Sequence, residues 1–243
     1  MTSKASFPLA AIQMKTTPRF DENVTTLTDA LLATPEQALV VAPELCLTGF
    51  AYDRMDDAAA FSSDALYQLQ EIVGSRLLCL TTIEKSPSGY LNTAYLITQE
   101  AIRPIQSKHA LFPLGHEDDH FLVGSKELIR LHELNGLRIG VLICYELRFL
   151  DLWERLRGAD IILVPAFWGK ERKNHFITLT AALALQLQCH VVAACSCNDD
   201  MAGYSSIIDP WGNGVSLEGK CGQIATMYDS HITDLTRRAL PIL

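Results

Sequence analysis

The chain has 243 residues, 49% of them hydrophobic and 20% charged, and a net charge of −8 at pH 7. This is ample apolar material for one domain spanning 1–243 and far too much for a disordered chain. The acidic balance argues against a nucleic-acid partner or attachment to an acidic membrane, and no run approaches the roughly 20 apolar residues of a membrane span.

Met1–Met14 holds only a short apolar patch, Phe7 to Ile12, interrupted by Pro8 and ended by Gln13, so no signal peptide is expected and the location is read as cytoplasmic. Phe7 to Met14 reads as a first strand. Asp21 is placed as the cap of a helix through Asn23 to Leu32, with Val24, Leu27, Ala30 and Leu31 on its apolar side and Pro35 beyond its end. Ala38 to Ala42 is a second strand that closes on the loop Pro43 to Phe50. Ala58 to Gly74 is a helix. Leu77 to Ile83 and Leu91 to Thr98 form a hairpin around Ser86-Pro87-Ser88-Gly89, and Ile102 to Gln106 is a short strand leading to Ser107-Lys108-His109.

Leu111 to Ser125, with Pro113, Gly115 and Gly124, reads as an irregular loop. Leu128 to Leu134 and Leu137 to Ile143 make a hairpin through Asn135-Gly136, the strongest turn signal in the chain. A helix is predicted over Leu150 to Arg157, a strand over Ile161 to Val164, a helix over Phe176 to Gln188 and strands over Val191 to Cys195 and Ser205 to Asp209. The turn Pro210 to Gly214 leads to a last strand pair. Hairpins alternating with helices predict an α/β fold whose sheets are mixed rather than purely parallel. The seven cysteines (46, 79, 144, 189, 195, 197 and 221) are odd in number and show no C-x-x-C pair. They are read as reduced thiols, with Cys195 and Cys197 in or near the core and no zinc site between them.

Three polar residues end three separate strands: Glu44, Lys108 and Cys144. Alone, each has an ordinary explanation: a solvated carboxylate, a surface ammonium, a small buried hydrophobe. Together they have a chemical logic. A thiol must lose its proton to attack a carbonyl carbon, and a nearby carboxylate can take it. An ammonium beside both stabilises a thiolate and then an oxyanion. A helix beginning after Cys144 would further lower the thiol's pKa and offer backbone N–H groups, Tyr145 among them, as an oxyanion hole.

The segments Pro43-Glu44-Leu45 with Thr48-Gly49, Ser107 to Phe112, and Ile143-Cys144-Tyr145-Glu146-Leu147-Arg148-Phe149 resemble the three signature segments of the carbon–nitrogen hydrolase family, the nitrilase superfamily. Gly158-Ala159-Asp160 before Pro165 to Trp168, and Ser206 to Gly212, agree with it. The resemblance implies a four-layer α-β-β-α sandwich and a homodimer or larger homo-oligomer. It implies Glu44 as general base, Lys108 as the supporting cation, Cys144 as nucleophile, and Glu117 as a second glutamate orienting Lys108. No metal or cofactor is implied. Tyr145 after the nucleophile resembles the amidase branch, ω-amidase-like proteins included, so a small carboxamide is the expected substrate, ahead of nitrile or N-carbamoyl hydrolysis. Glu146 stands where that branch more often has aspartate. Ala181 to Gln188 lacks the charges usual in the corresponding helix, which bears on substrate class and activity.

Phe50, Tyr52, Phe112 and Trp168 follow these segments and are expected to line the pocket. Arg148 is expected to brace the nucleophile's loop through a buried ion pair, or else to hold a carboxylate. Trp153 and Trp211 are read as packing. Two other readings compete. His116-Glu117-Asp118-Asp119-His120 spells H-E-x-x-H, a zinc-hydrolase pattern that needs a stable helix, which Pro113, Gly115 and Gly124 disfavour. A non-catalytic binding module of the same fold is favoured only by the altered 181–188 helix.

Overall fold

The computed structural model describes residues 6–242. The single-domain reading and the reading of Met1–Met14 reach in part beyond them. Strands gather into two six-stranded mixed sheets. The first runs β12 (Gly222–Asp229), β1 (Ser6–Gln13), β2 (Leu39–Val41), β3 (Leu77–Ser86), β4 (Gly89–Ile97), β5 (Ile102–Ser107). The second runs β11 (Gly214–Glu218), β10 (Tyr204–Ile208), β9 (His190–Cys195), β8 (Ile161–Ala166), β7 (Leu137–Val141), β6 (His132–Leu134).

Side-chain alternation explains the layering. Leu9 and Ala11 of β1, and Leu39 and Val41 of β2, belong to the core shared with the second sheet. Their neighbours Ala10, Ile12 and Val40 pack instead with Leu27 and Leu31 of α1 (Phe20–Leu32) and Leu66 and Leu69 of α2 (Met55–Ile72). Strands buried on both faces read as continuous apolar runs, as these do. On the far side, α4 (Leu150–Arg155) and α5 (Lys173–Leu187) cover the second sheet through Leu152, Trp153, Phe176, Leu183 and Leu187. The result is the α-β-β-α sandwich. In its centre, β1-β2-β3 of one sheet are mutually parallel, as are β7-β8-β9 of the other, and the Phe167 N–H just past β8 reaches the Glu44 carboxylate just past β2, so these strand exits meet.

Several expectations are corrected. Asp21 is not a cap: α1 starts at Phe20 behind Arg19, and Asp21 lies in its first turn. The strand predicted from Leu128 shrinks to His132–Leu134, because Lys126–Leu128 coils into a 3-10 turn and the Ile129 carbonyl accepts from Arg155 Nε. The last two strands do not pair with each other: β11 returns along β10, and β12 crosses to β1 in the other sheet. Seven free thiols become five, because Cys197 is disulfide-bonded to Cys221, Cα–Cα 6.1 Å. The Gly219 N–H donates to the Gly203 carbonyl at 2.8 Å, prolonging the β10–β11 pairing to within two residues of Cys221, while Cys197 lies two residues past β9. The sequence reading also missed α6 (Ser230–Ala239), a polar helix capped by the Asp229 carboxylate on the His231 N–H. Asn135 and Gly136 both have positive φ, as a two-residue hairpin turn requires.

Candidate active site

Four chain segments deliver polar side chains to the strand exits. Glu44 lies three residues past β2, fixed by a left-handed Leu45 (φ 46°) whose N–H donates to Thr81 Oγ1 at 2.8 Å. Lys108 directly follows β5, its N–H on the Asn92 carbonyl at 2.8 Å. Glu117 opens the single-turn helix α3 (Glu117–His120), turned inward by a left-handed His116. Cys144 begins the 3-10 turn Cys144–Arg148 at φ 47°. That conformation costs a non-glycine residue about 1–3 kcal/mol and persists only where the surroundings dictate it.

Here Glu146 dictates it. Its fully buried carboxylate accepts from the Ile143 N–H at 2.7 Å and, with its other oxygen, from the His109 N–H at 2.7 Å. One side chain thus ties the residue before the thiol to the residue after the lysine. Gln106 Nε2 donates to it at 3.1 Å. Burial raises its pKa to about 7, against the pull of those backbone donors.

Lys108 Nζ donates to Glu44 Oε1 and to Glu117 Oε1, 2.7 Å each, and its side chain is wholly excluded from solvent. Asn92 Nδ2 donates to Glu44 Oε1 at 2.8 Å and the Phe167 N–H to Glu44 Oε2 at 3.2 Å. The Phe112 N–H donates to Glu117 Oε2 at 3.1 Å. Burial opposes the lysine's charge, but Glu44 and Glu117 outweigh it and hold its pKa above the ordinary value. Burial lifts Glu117 to about 7, with Lys108 pulling down and Glu44 pushing up.

The sequence reading expected a depressed thiol pKa at Cys144. The structure reverses this. Burial pushes it well above its ordinary value, and Glu44 and Glu117 push the same way. Lys108 and the Phe167 N–H only partly offset them. The helix behind the thiol is a short 3-10 turn, and the nearby cation is already committed to two carboxylates.

The structure therefore brings Glu44, Lys108, Glu117 and Cys144 together. A small cavity at the thiol is lined by Phe112, Tyr145, Arg148, Phe167, Trp168 and Arg172, with Gly169. Of the expected pocket residues, Phe112, Tyr145 and Trp168 are there. Phe50 and Tyr52 are not. Tyr52 stacks on His120 at 4.0 Å and donates its hydroxyl to the Gly115 carbonyl at 2.8 Å, so it supports the Glu117 loop from outside. Phe50 packs edge-on against Phe167 and backs the wall.

The H-E-x-x-H residues have separate partners. Exposed His116 bonds Asp119, His120 lies on Tyr52, and Glu117 serves Lys108. Among the described residues Arg148 has no buried ion-pair partner; it lies 4.8 Å over the Trp168 ring and its Nη2 meets His175 Nδ1 at 3.1 Å. Sequence reasoning missed Asn92, Phe167 and Arg172. Asn92 left a trace as a lone amide in the apolar strand Leu91 to Ile97, and Phe167 lay within the segment Pro165 to Trp168 without a role of its own. Helix α5 packs through Phe176, Thr180 and Leu183 despite its missing charges, and Phe176 meets the Trp168 ring at 5.3 Å.

Comparison with known proteins identifies the family and the fold. The sequence profile of the carbon-nitrogen hydrolase family matches residues 8–223. The chain is 29% identical over 219 residues to a 2-oxoglutaramate amidase of Bacillus subtilis, covering 84% of this chain and 83% of that one. It is 28% identical over 208 residues to the omega-amidase YafV of Yersinia enterocolitica, covering 82% and 79%. In fold it resembles a CN-hydrolase superfamily protein of Xanthomonas campestris, with a TM-score of 0.85 at 21% identity over 98% of this chain and 96% of that one.

Proposed function

Since the chain belongs to the carbon–nitrogen hydrolase family, we propose that it releases ammonia from a small carboxamide, in the manner of an ω-amidase, through a thioester on Cys144. The observation that carries this is the buried ammonium of Lys108, 2.7 Å from both Glu44 and Glu117, beside a buried thiol. The relatives named for 2-oxoglutaramate and ω-amide hydrolysis support the substrate class.

Glu44 takes the Sγ proton as the Cys144 sulfur bonds to the amide carbon. The carbonyl oxygen becomes an oxyanion facing Lys108 and the Tyr145 N–H, one of the first-turn donors that lack a helical acceptor. The C–N bond breaks, the nitrogen takes the proton from Glu44, and ammonia leaves. Water then adds to the thioester, giving its proton to Glu44. The S–C bond breaks as Glu44 returns that proton to sulfur, so the carboxylic acid leaves and both the thiol and the Glu44 carboxylate are restored. Glu117 fixes Lys108 from the opposite side. No metal or cofactor enters this scheme. A homodimer or larger assembly belongs to the same reading, and exposed Leu185, against Gly212 and next to exposed Trp211, leaves an apolar patch that such an assembly would cover.

Ammonia release from ω-amides is the test. Cys144→Ala is expected to abolish turnover while leaving the unfolding midpoint close to wild type. Turnover near wild type in that variant would refute the thioester.

A further inference from the structure

Asn92 lies in β4, where strand alternation turns its side chain to the same face as Ala94 and Leu96, toward the second sheet. It is fully buried, and its Oδ1 finds no protein partner among the described residues. What the residue does engage is the catalytic set. Its Nδ2 donates to Glu44 Oε1 at 2.8 Å, and its backbone carbonyl accepts the Lys108 N–H at 2.8 Å. One residue thus anchors the base through its side chain and the cation through its main chain.

The two oxygens of Glu44 are not alike. Oε1 accepts two strong donors, Lys108 Nζ at 2.7 Å and Asn92 Nδ2 at 2.8 Å. Among the described residues Oε2 accepts only the Phe167 N–H, at 3.2 Å. The same N–H bears on the Cys144 sulfur, where it works against the burial that holds the thiol protonated. Two acceptors within reach of one hydrogen lie close together, so Oε2 is the oxygen on the thiol's side. A carboxylate oxygen that already accepts two donors, one of them charged, is a poor proton acceptor, whereas an oxygen with one longer bond keeps a lone pair free.

We propose that Asn92 is a positioning residue for the base. With Lys108 it saturates Oε1 and fixes the Glu44 carboxylate, so that Oε2 receives the Sγ proton as the S–C bond forms and passes it to the departing nitrogen as the C–N bond breaks. The proposal rests on the amide-hydrolase reading above. Its test compares Asn92→Leu, which keeps the branched shape and loses the donor, with Asn92→Asp, which keeps shape and size and sets an acceptor against Glu44. With the monoamide of a four-carbon dicarboxylic acid as substrate, kcat should fall at least tenfold in Asn92→Leu and further in Asn92→Asp, with KM within twofold of wild type in both. A packing role alone predicts the reverse order, since Asp fills the same space. A kcat near wild type in Asn92→Leu, or recovery of kcat in Asn92→Asp, would overturn the assignment while leaving amide hydrolysis standing. Should Asn92→Leu not fold, Asn92→Ser, too short to reach Glu44, is read by the same criteria. Wild-type protein that releases no ammonia would refute the hydrolase reading instead, and labelling of Cys144 by iodoacetamide at pH 9 then decides for Asn92. Without the Nδ2 donor the Glu44 charge repels a thiolate more strongly, so labelling at least threefold slower in Asn92→Leu supports the assignment, and equal or faster labelling overturns it.

Discussion

Lys108→Met removes the ammonium between two buried carboxylates and keeps the side chain's length. The lysine is fully buried and 2.7 Å from both Glu44 and Glu117. Breaking such a set by deleting one partner costs about 3–5 kcal/mol, because charge is left buried without compensation. The lower end applies here. Asn92 and Phe167 still donate to Glu44, and Phe112 still donates to Glu117. Glu117 can also shed its charge, since its pKa already stands at about 7 with Lys108 pulling it down. Without that pull it moves further up. A carboxyl raised in the folded state favours folding when protonated, and that contribution is lost as pH rises through its folded pKa. The variant should therefore lose about 3 kcal/mol at pH 8 and less at pH 6. Urea unfolding followed by tryptophan fluorescence at both values measures this, as a lower midpoint with an unchanged slope. Adding Glu117→Gln should return part of the loss at pH 8, since the two residues share one network. A loss under 1 kcal/mol at pH 8, or a gap that widens on acidification, would refute the reasoning.

Two further outcomes are expected. With its pKa raised by burial and then by Glu44, the Cys144 thiol should react slowly with neutral iodoacetamide at pH 7 in the absence of substrate, and the rate should still be climbing above pH 9. Glu44→Gln removes one of the charges that raise the pKa and should speed the reaction at pH 8; adduct mapping that finds a rate plateau below pH 8, or no acceleration, would contradict this. The Cys197–Cys221 bond spans 24 residues, and closing a loop of that size is worth about 3–4 kcal/mol in the chain-entropy account. Cys221→Ser should lower the urea midpoint accordingly and make it insensitive to dithiol, and an unchanged midpoint would show that the bond contributes little.

What the sequence revealed followed the physics of each feature. Elements dominated by local pattern were legible: the doubly buried β1 and β2, the Asn135-Gly136 hairpin, and the helix α5. The meeting of Glu44, Lys108 and Cys144 was legible too, because each stands at a strand exit and the segments around them match a family. Other features made by the meeting of distant segments were not. Phe167 contributes a backbone N–H that any residue but proline would supply. Cys221 reaches Cys197 only because β12 leaves its neighbour for the other sheet. Arg172 looks like one more charge in Lys170-Glu171-Arg172-Lys173, and only Gly169 and Phe112 reveal where it goes. Phe50 and Tyr52 failed for the opposite reason: adjacency to Glu44 in sequence placed them behind the wall rather than in it.

The inverted expectation at Cys144 follows from counting charges in the buried set. Two carboxylates face one ammonium. An ionised thiol would put three negative charges around it in a space closed to water, which is why the proton stays on sulfur at rest. Each pKa unit above the ordinary value is about 1.4 kcal/mol against the thiolate. That cost need not be met before substrate arrives. If Glu44 takes the proton only as the sulfur bonds to carbon, the negative charge passes to the carbonyl oxygen, and the ammonium's field acts on it there. A site arranged this way reacts with bound amides while remaining sluggish toward adventitious electrophiles. It also explains why Glu146 is kept close but separate. Its own oxygens are taken by the Ile143 and His109 N–H groups and by Gln106, so it aligns the thiol's turn with the lysine's loop, and the proposed mechanism assigns the proton to Glu44.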